Sequence, residues 1–290
     1  FHKRLSSNLT LVTHTSDHPK DSDLVSASNG SLVDEIYLKK KSKNIETNAY
    51  LGNSGIFIIN KKILGKIKAP IEKEIKSVFH HIVKNVFDLN INIYSYNTTE
   101  YIKDMGTPRR LEIVEKDLKQ NKVNSRNYKN KQKALFLDRD NTLINCSIGK
   151  YILDINEIKF IDKNILKIAK ISNSYNLVCL VTNQPSIAMG KISIRELENI
   201  NSFIIKYCLT KGLKIDVVSF CPHHPHRGFE GEIKVLKNDC FCRKPNPGLI
   251  LEQSFIRNIN LQQSLLIGDS ERDSNAAKNS GCDFIHVDNL

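Results

Sequence analysis

The chain has 290 residues, 40% of them hydrophobic, enough to build one large core or two ordinary ones and too many for a disordered tail. No apolar run approaches the eighteen residues a membrane span needs, and the opening Phe-His-Lys-Arg leads into a strand-like run, not a secretory leader. The formal charge of +12 reflects a Lys-, Asn- and Ile-rich composition. Six basic residues and no acidic one stand between Lys119 and Lys133, but no aromatic interleaving accompanies them; anionic small molecules are the expected partners, ahead of nucleic acid.

Taken in chain order, LTLVTH from Leu9 and SLVDEIYL from Ser31 alternate as strands do, and LGNSGIFIIN from Leu51 reads as a Gly-flanked buried strand. Apolar residues from Ile71 to Phe87 recur at helical spacing, INIYSY from Ile91 alternates again, and TPRRLEIVEKDL opens a helix with Pro108 in its first turn. The polar stretch that follows, 119–132, reads as a linker. The expected organisation is therefore a module over 1–118, a linker over 119–132 and a second module over 133–290.

From Ala134 the pattern changes. ALFLD, NLVCLVTN, DVVSFC and SLLIGD are short apolar runs, and helical stretches at 163–172, 193–209, 247–258 and 272–280 separate or follow them. Strands alternating with helices imply an α/β fold with a doubly wound parallel sheet, in which ligands bind at the carboxyl ends of the strands. Those ends carry Asp138, Thr182, Asn183 and Asp269.

Asp138 and Asp140 alone would suit a turn beside Asn141. With the other strand ends they make a set that resembles the haloacid dehalogenase superfamily of phosphatases, whose first motif is DxDxT with a Gly before the Thr. Asn141 replaces that Gly here, and Asn tolerates left-handed backbone angles. The resemblance implies that Asp138 is the nucleophile and that Asp140 protonates the leaving oxygen and then activates water. It implies a catalytic Mg²⁺ on Asp138, Asp140 and Asp269, with Asp273 in support, because a carboxylate attacking a phosphate dianion needs a cation between them. Thr182 and Lys244 match the hydroxyl and amine that hold the phosphoryl group.

Cys221-Pro-His223 and Cys240-Phe-Cys242 are separated by sixteen residues. Three thiolates and one imidazole make a closed zinc set, structural because no position is left for water. The intervening loop is too polar to fold alone and ends directly at Arg243-Lys244. The remaining cysteines, Cys146, Cys179, Cys208 and Cys282, are scattered, and a reducing cytoplasm suits all seven.

DRDxT, VTNQ, CxH…CxCRKP and GDxxxD together resemble the D-glycero-D-manno-heptose 1,7-bisphosphate 7-phosphatases over about 133–290, with histidinol-phosphate phosphatases as the near alternative. By that resemblance the substrate is a phosphorylated sugar touched by Asp138, Arg139, Asp140, Cys146 to Gly149, Thr182, Asn183, Gln184, Pro185, Arg243 and Lys244. The alternative of another class is a non-catalytic scaffold or nucleic-acid-binding protein using 119–133.

In the first module LVTHTSDHPKDSDLV, LGNSGIFIIN and EYIKDMGTPRRLEIVEKDL resemble the C-terminal part of a sugar-phosphate nucleotidyltransferase, with Asn53 near the sugar and Asp104 as a metal-binding aspartate. Turn chemistry beside Gly and Pro is the alternative account of both residues, and the resemblance favours the binding roles. The glycine-rich nucleotide-binding opening of that family is absent, so nucleotide transfer by this chain alone is not expected. Beginning at Phe1 rather than Met, the chain reads either as a piece of a longer protein whose preceding segment would complete that module, or as one whose first module has degenerated into a scaffold.

Overall fold

The alternating segments near the N-terminus close on themselves. In the computed structural model, which describes residues 1–16, 22–28, 31–38, 49–67, 78–89, 91–147 and 149–290, five strands form a barrel in the order β1-β4-β2-β3-β5. These are β1 (Leu9–Thr15), β2 (Leu24–Ser28), β3 (Leu32–Tyr37), β4 (Leu51–Ile59) and β5 (Ile93–Asn97). They belong to one compact unit, Phe1–Thr98; the other unit is Thr99–Leu290. The short helix α1 (Lys61–Leu64) follows β4, and α2 (Val78–Asp88) sets Phe79, Ile82, Val83 and Val86 against Leu9, Leu11, Val25 and Ile93. Residues 71–77 of the expected helix lie outside the described residues. The partial α/β module expected here is thus a small barrel. β4 is also less buried than its composition suggested, because Ile56 and Ile58 face outward at about half exposure. Asn53 sits on β4, its backbone N–H donating to Asp23 O.

The second unit begins with α3 (Pro108–Lys119), capped by the Thr107 hydroxyl, and α4 (Lys122–Ser125). The stretch expected as a linker is therefore ordered. Arg126 donates to Asn176 O at 2.8 Å and pairs with the buried Asp216 at 3.1 Å, while Gln132 is fully buried and bridges to Ile259.

Beyond it lie β6 (Ala134–Leu137), α5 (Asp162–Ser172), β7 (Leu177–Asn183), α6 (Ile194–Thr210), β8 (Val217–Cys221), α7 (Gly248–Arg257), β9 (Leu265–Gly268), α8 (Glu271–Ser280) and β10 (Asp283–His286). All neighbouring strands are parallel, in the order β10-β9-β6-β7-β8. β6 and β9 are buried at every residue, as a strand covered on both faces must be, which is why they read as unbroken apolar runs. The chain steps from β6 to β7 and β8 on one side, then returns to β9 and β10 on the other. The direction reverses at β6, and the crevice at such a point is where open α/β sheets bind ligands.

Among the described residues no helix is long and apolar enough to cross a membrane.

Candidate active site

Asp138 leaves the end of β6 at this crevice, its backbone N–H donating to Ile267 O at 2.9 Å. Asn141, three residues on, has a φ of 56°, the left-handed conformation its side chain tolerates. Its Oδ1 accepts from Cys146 N at 2.9 Å, so the turn is closed by the residue that stands where a Gly was expected.

Lys244 reaches into the crevice from the loop before α7. Its Nζ donates to Asp138 Oδ1 at 2.6 Å, to Asp273 Oδ1 at 2.5 Å and to Val181 O at 2.9 Å. Asn183 braces that loop in both directions: its amide donates to Lys244 O and its carbonyl accepts from Lys244 N, each at 3.0 Å. Asp273 lies in the first turn of α8, where it also accepts from the Ser270 hydroxyl at 2.5 Å. Gly268 makes this approach possible, since a Cβ there would fall 2.6 Å from the Asp273 side chain.

Burial pushes the Asp138 carboxyl up to about 7; Lys244 opposes the rise, while Asp273 and Asp140 add to it. Burial alone would lower the Lys244 ammonium, but the two carboxylates facing it win and raise it. Lys244 is thus a fixed cation between two acids.

Asp138, Asp269 and Asp273 offer carboxylate oxygens that all lie within 4.8 Å of one another. An all-oxygen acidic set suits a hard divalent cation such as Mg²⁺. Asp140, expected among the magnesium ligands, is not in this trio. Its carboxylate is taken by Arg139, Nε to Oδ1 at 3.0 Å and Nη2 to Oδ2 at 3.2 Å, and by Gln184 Nε2 at 2.9 Å.

A cavity of about 420 Å³ opens over the trio. Of the residues expected to touch substrate, Asp138, Asp140, Cys146, Ser147, Gly149, Thr182, Asn183, Pro185, Arg243 and Lys244 line it. Arg139 and Gln184 do not: each is 1% exposed and faces inward. Lys150, Tyr151, Ser270 and Arg272 line it as well and were missed; Arg272 sat in view within GDSERD, whereas nothing in the pattern marked Lys150 or Tyr151.

Cys221, His223, Cys240 and Cys242 converge as expected. Neighbouring donors are 3.2–3.6 Å apart, too far for a disulfide and near the ~3.7 Å edge of a tetrahedron with Zn–S bonds of ~2.3 Å. Hydrogen bonding from Cys221, then from Cys240 and His223, draws the Cys242 thiol down to about 5, so one thiolate is already favoured. Four soft donors with no further ligand position fit a closed zinc site. The cluster ties to the crevice through Arg243, whose Nη1 donates to His223 O at 3.2 Å. The intervening loop packs on the segment after β7, with Ile233 N donating to Ala188 O at 2.9 Å. Gly190 permits that contact; a Cβ there would fall 1.9 Å from Gly231 O.

Asp104 is spent locally. It accepts from Gly106 N at 2.9 Å and pairs with Arg110, which is turn and helix-cap chemistry. Asn53 and Asp104 fall in different units, and Asp104 belongs to no metal-ligand cluster among the described residues.

The haloacid dehalogenase-like hydrolase family pattern matches residues 231–287. A D-glycero-beta-D-manno-heptose-1,7-bisphosphate 7-phosphatase of Vibrio cholerae serotype O1 is 34% identical over 148 residues, which is 51% of this chain and 76% of that protein. The chain belongs to the haloacid dehalogenase-like phosphatases. A D-glycero-alpha-D-manno-heptose-1,7-bisphosphate 7-phosphatase of Photorhabdus laumondii is 32% identical to this phosphatase over 52% of the chain and 80% of the relative, so relatives of both anomeric descriptions are similar to it. The D,D-heptose 1,7-bisphosphate phosphatase from B. bronchiseptica, solved with magnesium and phosphate, is 27% identical with a TM-score of 0.45, covering 52% of this chain and 78% of that one.

Proposed function

We propose that this phosphatase hydrolyses the 7-phosphate of D-glycero-D-manno-heptose 1,7-bisphosphate through a phospho-aspartate on Asp138. The observation that carries the reading is the Asp138–Lys244 pair at 2.6 Å, set at the switch point of the sheet and open to the cavity. An Asp138 oxygen attacks phosphorus and the bond to the sugar oxygen breaks, with Asp140 giving that oxygen its proton. Asp140 then takes a proton from water, whose oxygen attacks the same phosphorus; orthophosphate leaves and the Asp138 carboxylate is restored. Thr182 and Lys244 hold the phosphoryl oxygens, and Arg243 receives the second phosphate with its planar fork.

Mg²⁺ would be held by Asp138, Asp269 and Asp273, the carboxylates gathered in the crevice, and would supply charge neutralisation when bound. The zinc set holds the loop that delivers Arg243 and Lys244. Residues 133–290 are the phosphatase domain in this reading. In the same reading the barrel and the segment to residue 118 are a nucleotidyltransferase-like part, and the chain acts in nucleotide-activated heptose synthesis.

A phosphate-release screen with magnesium tests the substrate. Heptose 1,7-bisphosphate should be turned over far faster than simple sugar monophosphates or histidinol phosphate. A preference for histidinol phosphate moves the assignment to the amino-acid branch; no release from any phosphomonoester, with salt-sensitive binding to RNA or DNA, moves it to a binding protein.

A further inference from the structure

Gln184 was expected to touch substrate, but it is buried behind Asp140 and Thr182, which line the cavity. Its Oε1 accepts from Arg139 Nη2 at 2.9 Å. A guanidinium has no acceptor, so this contact fixes which end of the amide faces Arg139. The NH₂ end must then face the other way, and it donates to Asp140 Oδ2 at 2.9 Å and to Thr182 Oγ1 at 3.0 Å. Arg139 is held in its turn by α6, its Nη1 donating to Asn201 Oδ1 at 3.1 Å. Arg139, Gln184, Thr182 and Asn201 are each 3% exposed or less.

The direction of these bonds has a chemical consequence. A hydroxyl that accepts from an amide N–H keeps its own proton free, and Thr182 lines the cavity. We propose that Gln184, oriented by Arg139, is a positioning residue that makes Thr182 a hydrogen-bond donor towards the phosphoryl group while holding Asp140 alongside it. This rests on the phosphatase reading above, in which Thr182 binds the phosphoryl group, and assigns Gln184 no contact with substrate.

The discriminating variant is Gln184→Glu. It keeps the shape and the acceptor that Arg139 needs, but removes both N–H donors, so the Thr182 proton is drawn inward to the new carboxylate. A residue that only braces the fold would lose stability to the new charge facing Asp140 but would leave kcat of the folded chain in place. The account instead predicts that kcat for p-nitrophenyl phosphate with magnesium falls about 100-fold in the folded variant, the scale of one lost phosphoryl or oxyanion donor, with KM within a few-fold. The loss from Gln184→Glu should be smaller in a Thr182→Val background than in wild type, because the hydrogen bond to Thr182 is then already gone and only the contact to Asp140 is left to lose. If the Glu variant does not fold, Gln184→Met, which also lacks the donors, should show the same loss and the same non-additivity. Retention of kcat within threefold, or single losses that multiply in the double variant, overturns the inference and leaves the phosphatase reading intact. A wild-type chain that hydrolyses no phosphomonoester overturns both.

Discussion

Lys244 Nζ lies 2.6 Å from Asp138 Oδ1, and the same ammonium is shared with Asp273 at 2.5 Å. With all three side chains buried, the lysine offsets charge that would otherwise force two acids apart. Lys244→Met should therefore cost about 3–5 kcal/mol at pH 8 without added metal, the usual cost of leaving a buried charge unpaired. Denaturant unfolding measures it, and a loss under 1 kcal/mol would contradict the pairing.

The raised Asp138 carboxyl links stability to pH. It titrates at about 7 in the folded chain against 3.8 for an unperturbed aspartate. Between those values the folded state binds more protons than the unfolded state, so stability falls as pH rises. Asp138's contribution is complete below about pH 4 and lost above about pH 7. In EDTA, the stability of wild type relative to Asp138→Asn should decline across that window. A difference that stays flat or grows with pH has the wrong sign for a carboxyl raised by burial.

A zinc ion held by Cys221, His223, Cys240 and Cys242 would brace the loop that carries Lys244, and its removal should loosen that loop. Elemental analysis should find about one zinc per chain, absent from Cys242→Ser. That variant should lose Tm and phosphatase activity together, because Arg243 reaches back to His223 and Lys244 follows directly. A zinc-free chain with full activity would remove the bracing role.

Arg126 is the test of the ordered connector. It neutralises Asp216, which is 4% exposed and also accepts from Val178 N at 3.0 Å. Arg126→Met should cost about 3 kcal/mol in denaturant unfolding by stranding that carboxylate; a neutral result would return 119–132 to the status of a loose tether.

The contrast between Arg126 and Asp138 shows what was legible. Asp138, Thr182 and Asp269 stand at the ends of apolar runs, and the four residues of the Cys/His cluster fall at close CxH and CxC spacing, so local pattern sufficed to bring them forward. Order at Arg126 comes from a partner 90 residues away, which no local pattern records. Similarly, a turn residue such as Arg139 carries no sign of which way it faces, so its inward course and the capture of Asp140 were invisible. The barrel was missed for a related reason: alternation identifies strands but not their neighbours, and β1 pairs in parallel with β5 across most of the unit.

The central claim is that Asp138 forms the covalent intermediate, and phosphate release by Asp138→Asn tests it most directly. With a substrate that wild type turns over in magnesium, the variant should fall by at least about 10⁴-fold while keeping its circular dichroism spectrum, the scale seen when a nucleophile is removed. Release within tenfold of wild type from a folded Asp138→Asn chain would contradict the account.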